Sequence, residues 1–166
     1  MKNNLSILIV LAVLGLSACS PSKPAQDSAT DEATISDDSL MTLVEYHTFQ
    51  YFCDGAEPNS GMARERFHTD GNYPDNDKHI VTSGGSGFGV MAILVGIKRG
   101  FITREQGLER MTRIVGFLET ADRFHGAWSH WINGETGKVK PFGENDNGGD
   151  LVETAYLVQG LSLIHI

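Results

Sequence analysis

The chain is 166 residues long and sets 13 Lys and Arg against 21 Asp and Glu, a formal net charge of −8. That length allows one domain at most. An acidic balance without any basic patch argues against nucleic acid or an anionic membrane surface as partner and suits a neutral substrate better.

Residues 1–19 have the layout of a secretory signal: Lys2, an apolar run from Leu5 to Leu16, then Leu16-Ser17-Ala18-Cys19. The run is too short for a convincing membrane span. Leu-Ser-Ala-Cys resembles the bacterial lipobox, in which the Cys is lipidated and becomes the new N-terminus; a plain signal peptide with a chance Cys is the alternative. Acyl chains on Cys19 would hold the protein to a membrane at about 0.8 kcal/mol per buried CH₂. Ser20, rather than Asp, resembles the pattern sent to the outer membrane, so a lipid-anchored cell-envelope location is expected, periplasmic or surface-facing. Residues 20–38, rich in Ser, Pro, Ala and acids, read as a flexible tether. With Cys19 consumed, Cys53 has no partner for an intrachain disulfide.

The first helix is expected over 39–54, where Leu40, Leu43, Val44, His47 and Tyr51 recur at helical spacing after a Ser/Asp cap. Cys53 near its end reads as a small buried hydrophobe. Residues 55–83 are long for a connection, which points to function. Arg64 and Arg66 there, beside Glu65, fit a salt-bridge lattice or a hydroxyl-binding rim. The acids Asp70, Asp75 and Asp77 lack the order of a calcium loop, and no metal is expected.

His79 to Thr82 is strand-like, and Ser83-Gly84-Gly85-Ser86-Gly87-Phe88-Gly89 then leads into Val90–Ile97. The glycine spacing is wrong for a dinucleotide fingerprint, and no Gly-Lys-Ser/Thr is present for a P-loop. The segment reads instead as a helix apolar on every side, hence buried, closed by Lys98-Arg99-Gly100. Thr103 and Gln106 form a capping box for an amphipathic helix over 103–121 with Leu108, Met111, Ile114, Val115 and Leu118 as its stripe. A buried helix followed by a half-exposed one suggests inner and outer layers.

Residues 126–142 carry Trp128 and Trp131 around Asn133-Gly134, which predicts a small hairpin. The two indoles suit a local core or a platform for sugar rings. Next come Asp146, Asp150 and Glu153, running into a second apolar helix over Leu151–Gly160. Asp150 and Glu153 share one helical face, at a helix start where partial positive charge favours carboxylates. The cluster is either an N-cap with solvated loop or the lining of a pocket that handles protons or sugar hydroxyls. Leu161–Ile166 lacks any helix stop and resembles one reading frame of a widely used transposon-end sequencing adaptor. The expectation is that native coding breaks near Gly160 and that 161–166 is a non-native tail.

Four stretches together, Gly55–Arg66, Ser83–Gly89, His130–Gly134 and Asp146–Thr154, resemble the bacterial glucoamylase-like domain, which includes the endo-β-1,2-glucanases of glycoside hydrolase family 144. The resemblance covers about residues 40–160. It implies an all-α fold, here the N-terminal fragment of an (α/α)₆ barrel with a small β-hairpin, and inverting hydrolysis of a β-glucan without a cofactor. It implies that Asp146, Asp150 and Glu153 belong to the catalytic centre or cleft. Trp128 and Trp131 would stack sugars, and Arg64 and Arg66 are weaker candidates for hydroxyl contacts. Clustered carboxylates raise one another's pKa, which keeps one protonated as the acid. With about four of twelve helices present, the fragment is expected to be inactive. The competing class is a lipid-anchored glycan-binding protein without turnover.

Overall fold

The computed structural model describes residues 34–165. The expected signal segment, Cys19 and most of the tether lie outside the described residues. The first helix, α1, spans Asp37–Cys53 and starts earlier than the spacing suggests, because Ser36 caps it by accepting from Ser39 N at 3.3 Å. Of its residues only Phe49 is buried; Leu40, Leu43 and Val44 of the expected stripe point outward. Phe49 lies against Gly96, where a Cβ would stand 2.6 Å from its ring. Cys53 is half-buried rather than enclosed, and burial, opposed by Arg110 and supported by Asp54, pushes its thiol pKa up.

The long segment that follows is ordered by strand-like bonding. β1 (Ile80–Thr82) pairs antiparallel with β4 (Trp131–Asn133), Val81 opposite Ile132. On the other edge of β1, Thr82 N donates to Ala63 O and Glu65 N to Ile80 O. Beyond β4, Ile132 bridges to Val139, so the expected turn at Asn133-Gly134 exists, with Asn133 Oδ1 accepting from the amides of Glu135 and Thr136. The principal partner of β4 is nevertheless β1, fifty residues earlier in sequence. A second hairpin, β2 (Arg123–Phe124) with β3 (Ala127–Trp128), turns through His125 and Gly126 at φ 52° and 93°.

Helix α2 (Ser83–Arg99) takes the glycine run into its own first turns rather than leaving it as a loop. Gly100, at φ 74°, closes it in the left-handed region. Helix α3 (Arg104–Thr120) begins with the expected capping box of Thr103 and Gln106. Its buried face is Gly107, Met111, Ile114 and Leu118, while Leu108 and Val115 are exposed, which narrows the expected stripe.

Helix α4 (Leu151–Ser162) runs past Gly160 into a 3₁₀ turn at Leu163–His165. It packs chiefly on α2, and the two run parallel. Gly84 meets Glu153, and Gly87 meets the Tyr156 carbonyl and Leu157. Gly87 and Gly160 face each other with no room for a Cβ. The outer helices α1 and α3 both lean on α2, and Val81, Val90, Ile93, Ile114, Ile132 and Leu157 fill the core between the helices and β1–β4. The described residues thus form an all-α section with small antiparallel pairings, the expected fold class. The apolar side chains Phe88, Val95, Leu151, Val152 and Val158 of α2 and α4 are exposed, so neither helix is buried on every side.

Candidate functional site

Parallel packing places the first turns of α2 and α4 side by side, and each brings unpaired amides to the same end. Thr82 gives α2 no side-chain cap. The Ser83 amide donates instead to His130 O at 3.1 Å, and the Gly84 amide to Glu153 Oε2 at 2.9 Å. A Cβ at 84 would lie 2.5 Å from that carboxylate oxygen, so glycine leaves room for this bond.

On α4, Asp150 is the N-cap: Oδ1 accepts from Val152 N at 2.9 Å and Glu153 N at 3.0 Å. Its other oxygen, Oδ2, stands 3.5 Å from His130 Nδ1. One carboxylate therefore serves the cap and still presents an oxygen outward. Asp150 N donates to Trp128 O, and Thr154 Oγ1 accepts from Trp128 N and donates to Trp128 O, so the start of α4 is clipped to β3. The Ser83 hydroxyl donates to Ser129 O, and the Ser129 hydroxyl to Trp131 O, which fixes the turn carrying His130.

Asp146 lies in the loop before α4, exposed, in a tight turn where its amide donates to Gly143 O and its carbonyl accepts from Phe142 N. Among the three acids, the structure gives Asp150 and Glu153 fixed partners at the helix ends and leaves the Asp146 carboxylate on the surface loop.

The two indoles part company. Trp128 packs against the core beside α3, its Nε1 donating to Leu118 O at 3.4 Å, with the Arg123 guanidinium 5.6 Å from its ring centre. Trp131 stacks on His130 at 4.3 Å and on Phe142 at 4.1 Å, at the edge of a 220 Å³ pocket that Arg66 also lines. The arginines divide likewise. Arg66 pairs with Glu65 and lies 4.0 Å from Asp77, whereas Arg64 turns over Tyr73, 4.2 Å from its ring centre, and donates to Lys78 O. Residues two apart in an extended segment face the same way, and both arginines hold partners at the rim of the long loop.

A fully buried carboxylate, Glu57, escaped the reading of the sequence. Oε2 accepts from Ser60 N and Oγ at 2.8 Å and from Asn59 N at 3.1 Å, while Oε1 faces Asn59 Nδ2 at 2.7 Å and His79 Nδ1 at 3.0 Å. Burial pushes its pKa up, but bonds from the Ser60 amide, His79, the Ser60 hydroxyl and Asn59 outweigh burial and hold it below the usual glutamate value. The only sequence signal was the run Glu57-Pro58-Asn59-Ser60, a loop whose donors fold back on their own acid. His130 was likewise overlooked as a partner of Asp150, since the clip of the α4 start onto Trp128 brings the pair together. Among the described residues, no group of three or more His, Cys, Asp or Glu is placed to hold a metal ion.

No family model matches the chain. It is 54% identical over 141 residues to an exo β-1,2-glucooligosaccharide sophorohydrolase (non-reducing end) of Parabacteroides distasonis, covering 82% of this chain and 19% of that protein. Among solved structures, the endo-β-1,2-glucanase of Chitinophaga pinensis, in complex with sophorotriose and glucose, is 73% identical with a TM-score of 0.74, over 77% of this chain and 31% of that one. The β-1,2-glucanase of Parabacteroides distasonis is 52% identical with a TM-score of 0.70, over 77% of this chain and 18% of that one. The chain thus spans between about a fifth and a third of the relatives it matches. Its homologues are glycoside hydrolases that cleave β-1,2-glucans.

Proposed function

We propose that the full-length protein is a glycoside hydrolase acting on a β-1,2-glucan by an inverting mechanism, and that this chain supplies one part of its catalytic centre. The observation that carries the reading is the pairing of Asp150 and Glu153 at the common N-terminal end of α2 and α4, beside His130, in a chain 73% identical to an endo-β-1,2-glucanase.

An inverting enzyme needs a protonated acid at the leaving oxygen and a carboxylate that activates water, about 6.5–9.5 Å apart. Glu153, held by a backbone amide at a helix N-terminus, is placed to hold a water or a sugar hydroxyl. Asp150 orients its free oxygen through His130, and Asp146, exposed on the loop before α4, is the third acid of the centre. Trp131 provides a stacking face with Arg66 beside it, while Trp128 packs on the core and Arg64 over Tyr73. The chain spans 31% of the Chitinophaga protein, and in this reading the 166-residue chain alone is inactive. Acyl groups on Cys19, after Leu16-Ser17-Ala18, anchor the protein to the outer membrane.

The test is release of reducing sugar from β-1,2-glucan by the full-length gene product, with Asp146→Asn and Asp150→Asn beside it. A hydrolase loses rate by orders of magnitude in the variants. A glycan-binding protein binds the glucan in all three forms and cleaves it in none. Incorporation of labelled palmitate that Cys19→Ala abolishes tests the anchor.

A further inference from the structure

Glu57 is the one fully buried carboxylate among the described residues, and the mechanism above does not use it. We propose that Glu57 and His79 are positioning residues for the hydrolase site. They fix β1–β4 and the first turn of α2, the two supports on which the His130–Asp150 and Gly84–Glu153 contacts are made. The proposal rests on the glucan-hydrolase reading above.

Two hydrogen-bonded routes leave this carboxylate. The first runs through His79. A carboxylate only accepts, so the 3.0 Å contact with Oε1 puts a proton on His79 Nδ1. The His79 carbonyl accepts from Gly134 N at 2.7 Å, where β4 enters its turn. β4 pairs along β1 from Asn133 back to Trp131, and His130 comes just before it, its carbonyl held by Ser83 N. The second route runs through the loop of Glu57 itself. Ser60 Oγ donates to Oε2 and accepts from Met62 N, and Glu57 N donates to Met62 O. Ala63 comes next: its amide donates to Ser86 Oγ, and its carbonyl accepts from Thr82 N. Ser86 lies in the first turn of α2, two residues after the amide that holds Glu153.

Ordinary core packing does not call for such a group. Burying a carboxylate is costly, and apolar side chains of similar volume often stabilise as well or better. Glu57 instead takes five donors on two oxygens, and a fully satisfied buried network fixes direction as well as charge. The opposite side leaves no slack. A Cβ on Gly134 would stand 2.7 Å from Oε2, and three donors hold that oxygen where it is. The other charged group facing His79 is Glu135, exposed and 4.0 Å from Nε2, beyond hydrogen-bond reach.

The experiment uses the full-length gene product on β-1,2-glucan, with Glu57→Gln, His79→Leu, Gly134→Ala, His79→Asn and Glu135→Gln. Each is assayed below its melting temperature, and rates are divided by the folded fraction from circular dichroism. The first three are expected to lose about 10- to 100-fold in kcat with KM within about threefold, and to shift the limbs of the pH–kcat profile. His79→Asn keeps a donor where Nδ1 stood and restores most of the rate, and Glu135→Gln behaves as wild type. Folded variants with the wild-type kcat and pH profile, or with a raised KM alone, overturn the positioning role and leave the hydrolase reading standing. A His79→Asn rate as low as that of His79→Leu also overturns it. Loss of folded protein in all of the first three assigns Glu57 to the fold alone, with the same consequence. No cleavage by the wild type removes the hydrolase reading and this inference with it.

Discussion

Glu153 Oε2 accepts a hydrogen bond from the Gly84 amide at 2.9 Å, across 69 residues of sequence. Alanine at a helical glycine ordinarily stabilises by about 0.5–1 kcal/mol. At 84 the added Cβ would stand 2.5 Å from that oxygen, the movable end of the Glu153 side chain. The carboxylate swings aside and gives up the bond from the residue 84 amide, about 1.5–3 kcal/mol for a bond to a charged group, so Gly84→Ala is expected to lower the unfolding midpoint. In the full-length protein it also displaces Glu153 by a fraction of an ångström or more, enough for a rate loss on the order of 10²-fold. Urea unfolding and initial rates on β-1,2-glucan check both. A variant with raised stability and unchanged rate would show that Glu153 moves freely.

Asp150 does two jobs with two oxygens, and substitutions can separate them. Asn is as good an N-cap as Asp, whereas Ala loses about 1 kcal/mol. Asp150→Asn is therefore expected to retain the melting temperature and lose activity by orders of magnitude, while Asp150→Ala loses both. Equal activity in Asp150→Asn and the wild type would assign the residue to capping alone.

The legible parts of the chain were those whose cause is local. The capping box at Thr103 and Gln106 and the glycine stop at Gly100 are short-range hydrogen-bond arrangements, and both are found as read. The hairpin through His125-Gly126 was missed because His adopts positive φ without the usual Asn-Gly signal. Contacts between distant segments were opaque for a different reason. Nothing near Gly84 in sequence announces Glu153, and nothing near Glu57 announces His79; packing of α2 on α4 and the β1 strand create them. The acids could be named from their spacing, but their partners could not.

Gly160 and Gly87 set how closely α4 approaches α2. A Cβ on Gly160 would collide with the Gly87 carbonyl, and one on Gly87 with the Tyr156 carbonyl. These are backbone obstacles, which cannot rotate away as a flexible side chain can. Gly160→Val is expected to destabilise by about 1–3 kcal/mol or more and to push the helices apart. Because that contact also sets the distance between the Gly84 amide and Glu153, activity should fall with it. Thermal melts of Gly160→Val and of Gly116→Ala test the idea, since a Cβ on Gly116 meets nothing within 4 Å and should be tolerated.

The buried Glu57 carboxylate gives stability an acid limb. Its folded pKa lies below its unfolded value of about 4.3, because the donors from Ser60, His79 and Asn59 outweigh burial. A depressed carboxylate contributes fully above the unfolded pKa, and the contribution is lost as pH falls through the folded one. Urea midpoints are therefore expected to be insensitive to this group between about pH 7 and 5 and to drop below about pH 4. Glu57→Gln turns two acceptor oxygens into one and sets an NH₂ against donors that remain buried. Each hydrogen bond to a charged group is worth about 1.5–3 kcal/mol, so the variant should lose about 2–3 kcal/mol at pH 7. The gap to the wild type should narrow as pH falls below about 4, where the unfolded chain takes up the proton before the folded one does, and should close once pH has passed the folded pKa. A gap of constant size from pH 7 to 3 would mean that the charge on Glu57 contributes nothing and that only its shape matters.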